Sequence, residues 1–155
     1  MKKLTALALA LMMAIVLVAC GSPATTDEQT TGQTTGGFKI AVVTGTASQG
    51  EEEIQAAEMM KAKYPDIVVT GTYPDNFTKE TETTISTVAN LCADPEVKAL
   101  VFVQAIPGAA AAIAKVRETK PDILVIAGVP AEDPAVIAAQ ADIVYNGQWF
   151  TPLRE

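Results

Sequence analysis

The sequence contains no histidine, and this absence removes several kinds of chemistry at once. Histidine is the most frequent general acid or base near neutral pH and the commonest metal ligand in proteins. Catalysis by histidine and metal sites built on histidine are therefore excluded. A serine such as Ser48 also has no such base to activate it as a nucleophile, so no catalytic residue is expected.

Basic residues and cysteines are scarce as well. The chain has 11 Lys and Arg against 18 Asp and Glu, which gives a formal net charge of −7. An acidic surface disfavours nucleic acid and anionic lipid as partners. Of the two cysteines, Cys92 falls on the apolar face of a helical segment and is expected in the core.

What is present begins with a segment typical of export. Met1–Lys3 is basic, and Leu4–Val18 is an apolar run of fifteen residues, shorter than the ~20 needed to span a bilayer. The run ends in Leu-Val-Ala-Cys20, which resembles a bacterial lipoprotein lipobox. In that interpretation residues 1–19 are a signal peptide and Cys20 is lipidated. The protein is then anchored to the outer face of the bacterial cell membrane, or is periplasmic. An ordinary secretory peptide and an uncleaved anchor are the alternatives.

Residues 20–37 are expected to form a disordered tether behind the lipidated cysteine. After Cys20 the segment GSPATTDEQTTGQTTGG holds six Thr and four Gly. It has too little apolar surface to offset the entropy of ordering. With Cys20 lipidated, Cys92 has no partner within the chain for a disulfide.

Residues 38–146 predict one α/β domain. Five continuous apolar runs are typical of parallel strands buried on both faces. Helix-length segments separate them, so the order is βαβαβαβαβ. We expect a doubly wound, five-stranded parallel sheet in the order 2-1-3-4-5, Rossmann-like or flavodoxin-like. The predicted strands are Lys39–Thr44, Ile67–Tyr73, Ala99–Gln104, Ile123–Ala127 and Ile143–Tyr145.

The first helix has a predicted start and a predicted buried face. Ser48 and Glu51 have the spacing of a capping box, which places the beginning of the helix at Ser48. Apolar residues at near-helical spacing are expected to face the sheet. These residues are Ile54, Ala57, Met60 and Tyr64.

Three loops follow the carboxyl ends of the first three strands, where open α/β sheets bind ligands. They offer hydroxyls, amides, one carboxylate and two aromatic rings, a mixture that suits a small polar ligand. The loops are residues 44–50, 73–78 and 104–108. The candidate site residues within them are Thr46, Ser48, Gln49, Tyr73, Asp75, Asn76, Phe77, Gln104 and Pro107.

Simpler roles stay open for these loops. Gly45 and Gly50 have the separation of a phosphate loop, but Glu51 and Glu52 stand where Lys and Ser or Thr belong. A nucleotide is therefore disfavoured, and no cofactor or metal is expected. The glycines can simply permit a tight turn. Ser48 can be only a cap, and Asp75 can serve only to shape a turn.

The segments KIAVVTGTASQGEEE, TYPDNFTKETETTIS, DPEVKALVFVQAIPG and KPDILVIAG add a resemblance. They look like the N-terminal lobe of a family of uncharacterised bacterial lipoproteins similar to type I periplasmic solute-binding proteins. The resemblance covers about residues 38–145 and implies a two-lobed fold with the ligand between the lobes. It also implies that the candidate residues above face that cleft, and it makes an ABC-type permease a candidate partner.

The sequence departs from this family after the fifth strand. Residues 147–155 are too few for a second lobe, so a truncated tail is expected here. The first hypothesis is a membrane-anchored solute-binding lipoprotein, or its N-terminal lobe, for uptake or sensing. A non-catalytic module that dimerises through the open cleft is the second hypothesis. A flavodoxin-like enzyme is the third and the least favoured.

Overall fold

The computed structural model describes residues 37–147, which form five strands and four helices in strict alternation. The strands are β1 (Lys39–Thr44), β2 (Val68–Thr72), β3 (Val97–Phe102), β4 (Leu124–Gly128) and β5 (Ile143–Tyr145). The helices are α1 (Ala47–Lys63), α2 (Thr81–Leu91), α3 (Ala109–Arg117) and α4 (Pro134–Ala138). The predicted order of elements is confirmed. The predicted signal peptide, Cys20, the tether up to residue 36 and residues 148–155 lie outside the described residues.

All five strands are parallel and lie in the order β2-β1-β3-β4-β5, as the sequence predicts. β1 lies between β2 and β3, with Val42 opposite Thr70 of β2 and Val101 of β3. Parallel neighbours require a crossover connection, so each helix lies between two strands of the chain. The architecture is the doubly wound α/β fold of the Rossmann and flavodoxin-like class.

The helices cover the two faces of the sheet unequally. On one face α2, α3 and α4 enclose the main core. On the opposite face α1 packs against β1 and β2 over a small cluster formed by Val42, Ala57 and Val68. The largest buried residues of the main core are Tyr73, Val88, Leu100, Phe102, Ile106, Ile113 and Ile137.

The start of α1 differs from its prediction. The residue that caps the helix is Thr46, and its partner three positions on is Gln49, so Ser48 and Glu51 do not form the capping box. The chain carries two overlapping pairs with this spacing, and the earlier one is used. At Gly50 the backbone leaves helical geometry (φ −167°, ψ 85°), which divides α1 into a first turn and a longer piece.

The buried face of α1 is also narrower than the sequence pattern indicates. Ala57 is buried, whereas Met60 and Tyr64 are 48% and 43% exposed. The prediction that these two side chains face the sheet is therefore wrong. The helix packs on the two strands at one side of the sheet, and the stripe that it buries is correspondingly small. In contrast, α3 buries a full stripe of apolar residues at helical spacing, Ala109, Ala112, Ile113 and Val116.

Candidate functional site

The loops that follow β1, β2 and β3 meet at the carboxyl edge of the sheet. β2 and β3 both pair with β1, so their parallel directions bring the three strand ends to one edge. This is the location at which doubly wound sheets accommodate ligands. The side chains there form a connected group.

Asp75 joins the loop after β2 to the start of α1. Its Oδ1 accepts a hydrogen bond from Ser48 Oγ at 2.7 Å and another from Thr46 Oγ1. These two hydroxyls, first Thr46 and then Ser48, stabilise the charged form and lower the pKa of Asp75 below its ordinary value. The carboxylate is therefore ionised near neutral pH. The Asp75 side chain is exposed, and its Oδ2 has no described hydrogen-bond partner.

Gln49 joins the same two loops through its amide. Its Oε1 accepts from Thr46 N at 3.2 Å, and its Nε2 donates to the backbone oxygen of Asp75 at 3.0 Å. Both ends of the side chain are thus used within the protein. Gln49 thus connects the loop after β1 to the loop after β2, although its side chain is exposed.

Tyr73 contacts this group from the core of the domain. It is only 1% exposed, and its hydroxyl donates to Gln104 Oε1 at 3.2 Å, which connects the ends of β2 and β3. The Phe77 ring packs edge-to-face on the Tyr73 ring, with centroids 5.6 Å apart. Burial, and secondarily the charge of Glu53, raises the pKa of Tyr73 to about 12. The sequence suggested a ring that walls a pocket, whereas the structure places Tyr73 in the core.

Gln104 keeps a group available for a ligand. The Gln104 carbonyl oxygen accepts the hydrogen bond from Tyr73. The Gln104 Nε2 has no described partner and remains free to donate. The side chain is half-buried at the end of β3, next to open space at the sheet edge.

Asn76 and Pro107 lie at the same edge but form no described side-chain hydrogen bond with this group. The Asn76 carbonyl accepts from the backbone of Lys79 at 2.8 Å and shapes the turn that leads to α2, while its side chain is exposed. Pro107 precedes Gly108, whose φ of +97° requires glycine. A Cβ at Gly108 would also lie 2.7 Å from Thr81 Cγ2.

The sequence reasoning missed Glu132, which belongs to the loop after β4. Its Oε2 accepts from Ala110 N at 3.2 Å, so a carboxylate lies at the beginning of α3. The signal available in the sequence was an acidic residue in a fourth loop at the same edge. The three loops predicted to form the site follow β1, β2 and β3, so they do not include Glu132.

The charges around the crevice are acidic at both helix starts. Asp75 lies at the first turn of α1, and Glu132 lies at the first turn of α3. Each carboxylate interacts favourably with the positive end of a helix dipole, which an anionic ligand would otherwise use. The loops 45–50, 73–78 and 104–108 contain no Lys or Arg. The site thus favours a neutral or cationic ligand that donates hydrogen bonds.

Two surface depressions lie elsewhere, with volumes of about 260 and 430 Å³. They are near the amino end of β3 and between α2 and α3. The larger one includes Cys92, whose pKa is raised to about 11 by burial. We assign the candidate site to the carboxyl edge because open parallel sheets place their ligand groups there and because exposed polar groups converge there.

Within residues 37–147 there is no cluster of three metal-ligating side chains. Nor does any helix in that range have the length and apolar character needed to cross a membrane.

The fold and the position of this cluster define an α/β protein of the Rossmann or flavodoxin-like class with a cluster of polar side chains at the carboxyl edge of its sheet. The chain belongs to the family described as "Protein of unknown function (DUF3798)", whose model matches residues 38–152.

Two uncharacterised proteins of Treponema pallidum (strain Nichols) are similar to this chain. One is 32% identical in an alignment 130 residues long, and the match covers 76% of this chain and 59% of the relative. The other is 39% identical over 60 residues, or 39% of this chain and 28% of the relative. The chain thus spans less than two thirds of the length of either relative.

A solved structure from Clostridium difficile 630, described as a "Putative transcriptional regulator", has the same fold. Its TM-score to this chain is 0.61 at 26% identity, and the match covers 70% of this chain and 33% of that protein. The match supports the α/β assignment made from the sequence.

Proposed function

We propose that the chain is a solute-binding lipoprotein, or one lobe of such a protein, that recognises a small polar ligand at the carboxyl edge of its sheet. The observation that carries the proposal is the exposed Asp75 carboxylate, which Thr46 and Ser48 hold across two loops through Oδ1, leaving Oδ2 without a described partner. Asn76 and the Gln104 amide add further polar groups at the same edge. The role that we propose for these groups is binding without catalysis.

The chemistry of the crevice defines the ligand class. Asp75 is an ionised acceptor, and the two nearby helix starts already have carboxylates of their own. The ligand therefore carries hydroxyl or amino donors, as in a sugar, a nucleoside or an amine. Phosphorylated compounds are disfavoured because the three loops supply no basic residue to pair with them.

The cellular context proposed for this binding is export and lipid anchoring at Cys20, in support of uptake or sensing. The support is the lipobox-like sequence at residues 17–20 and the Thr- and Gly-rich segment that follows. An ABC-type permease fits the uptake role. The acidic charge disfavours nucleic acid as a partner of this chain.

A thermal-shift screen of the purified chain tests the ligand proposal. The panel contains neutral sugars and nucleosides, cationic amines, and phosphorylated sugars as the anionic class. A ligand at 100 times its Kd adds about 2.7 kcal/mol to stability, which raises the Tm by several degrees. We expect neutral or cationic compounds to produce this shift and phosphorylated ones to produce none.

The matched variants are Asp75→Asn and Asp66→Asn. Asp75→Asn removes the charged acceptor at the crevice and should abolish the shift, whereas Asp66 lies in the exposed turn before β2. The proposal fails if no compound stabilises the chain, or if Asp75→Asn responds like the unmodified protein. A response confined to phosphorylated compounds would overturn the ligand class.

A further inference from the structure

One face of the sheet is left partly uncovered by the described helices. On this side α1 packs mainly against β1 and β2, and Val101 and Val103 of β3 border its small cluster, whereas α2, α3 and α4 lie on the other side. We call the outward side chains of β4 and β5, bordered by those of β3, the open face. It consists of Val101, Val103, Leu124, Ile126, Ile143 and Tyr145.

The open face is exposed to an unusual degree for residues of this type. Leu124 is 44% exposed, Ile143 is 50% exposed and Tyr145 is 38% exposed. Parallel sheets are normally covered by helices on both faces, and for this reason their strands are continuously apolar. The strands here have that composition, but none of the helices within residues 37–147 covers β4 and β5 on this side.

The strand register makes these side chains one continuous patch. Val101 lies opposite Ile126, Ile126 lies opposite Ile143, and Gly128 lies opposite Tyr145. Adjacent strands are ~4.8 Å apart, so β3, β4 and β5 together present a patch about 10 Å wide. None of its side chains is charged.

We propose that the open face is the docking site of a single amphipathic helix from a second polypeptide segment. One α-helix has a diameter of ~10 Å, which matches the width of the patch. A strand of five residues is ~17 Å long, and a helix of about eleven residues has that length. The helix presents an uncharged apolar stripe to the sheet, as α2 and α3 do on the other face.

The size of the patch favours a helix over a second copy of this chain. An exposed patch of this kind amounts to a few hundred Å², whereas a stable dimer buries about 800 Å² on each partner. The T. pallidum relative, of which this chain spans 59%, has further polypeptide that could supply it.

Fragment complementation tests this docking site. The 32%-identical T. pallidum relative is divided into the part that matches this chain and the remainder, and the remainder is titrated against the full chain. Its binding to its own matching part shows that the remainder is competent. We expect a 1:1 complex by native mass spectrometry and a measurable Kd by fluorescence anisotropy.

Substitutions locate the contact. Leu124→Lys and Ile143→Lys put a charge on the open face and should each weaken binding roughly tenfold or more. Met59→Lys is the matched control, because Met59 is apolar and 68% exposed on α1. Both test positions are already about half exposed, so the variants should keep the circular dichroism spectrum and Tm of the parent chain.

Three results would overturn the proposal. The first is a remainder that binds its own matching part but not this chain, or that binds neither. The second is a complex that Leu124→Lys and Ile143→Lys leave unchanged. The third is a homodimer of this chain that these substitutions disrupt, which would identify a second copy as the occupant. The docking site does not depend on the proposed ligand site, which lies at the sheet edge.

Discussion

Tyr73 connects the core to the candidate site through one hydrogen bond. Its ring is enclosed, and its hydroxyl reaches Gln104, which in turn keeps its amide nitrogen at the sheet edge. The orientation of a candidate ligand donor thus depends on a residue that a ligand need not touch. Loss of the Tyr73 hydroxyl would leave the Gln104 oxygen without its described partner.

Replacement of Tyr73 by Phe tests this connection through stability and its pH dependence. We expect Tyr73→Phe to lower the free energy of unfolding by about 1 kcal/mol at pH 7. In the unmodified chain the folded state retains the Tyr73 proton up to a pKa of about 12, against an ordinary value of 10.0. Stability from this group is therefore complete below pH 10 and is lost as the pH rises toward 12.

Urea unfolding between pH 8 and 12 measures the effect. The stability difference between the parent chain and Tyr73→Phe should shrink over the upper part of this range. Tyr64→Phe is the control, because Tyr64 is 43% exposed. A difference that stays constant up to pH 12 would show that Tyr73 is not protected from ionisation.

The sequence anticipated which residues gather at the site better than it anticipated their roles. Thr46, Ser48, Gln49 and Asp75 do meet, because the topology brings their strand ends together. The burial of Tyr73 could not be predicted, since it depends on the packing of Phe77 and the core around it. The internal use of both ends of Gln49 likewise depends on the path of a loop 25 residues away.

Among the elements, the strands were predictable and α1 was not. Continuous apolar runs define strands buried on both faces, and each observed strand falls within two residues of its predicted ends. The first helix depends on weaker signals, namely two overlapping capping pairs and a stripe whose burial is decided by what lies beneath it. The open face was also not predictable from the sequence. The apolar composition of β4 and β5 predicts burial on both faces, but the described helices cover only one of them.

Gly128 determines how closely the ends of β3 and β4 approach. A Cβ at this position would lie 2.4 Å from the carbonyl oxygen of Val103 and 3.1 Å from that of Phe102, both backbone atoms. The backbone cannot move aside as a flexible side chain can. We expect Gly128→Ala to destabilise the protein by about 2–3 kcal/mol in urea unfolding.

Gly71→Ala is the matched comparison in β2. A Cβ there would meet Leu91 Cδ2 at 3.1 Å, and this side-chain methyl can shift. The expected loss is under about 1 kcal/mol, because alanine also reduces the entropy of the unfolded chain. Equal losses for the two variants would contradict the assignment of a special close approach at Gly128.

At the scale of the whole molecule, we propose that the segment before the described α/β domain serves in export and anchoring. The anchoring proposal depends on Cys20, and the second cysteine provides an internal control. Cys92 is buried, so only Cys20 is expected to carry lipid.

Metabolic labelling with a palmitate analogue in a bacterial host checks this expectation. The unmodified chain and Cys92→Ala should be labelled and recovered with the membrane fraction, whereas Cys20→Ser should lose the label. Labelling that persists in Cys20→Ser, or that is absent from the unmodified chain, would refute the anchor.

The two parts of α1 on either side of the break at Gly50 contact different parts of the protein. Residues 47–49 are fastened through Ser48 and Gln49 to the loop after β2, whereas the longer piece rests through Ala57 on the sheet. A displacement of that loop would carry the short turn with it and leave the longer piece in place. We expect Gly50 to act as a joint that lets the loops of the candidate site move without disturbing the packing of the domain.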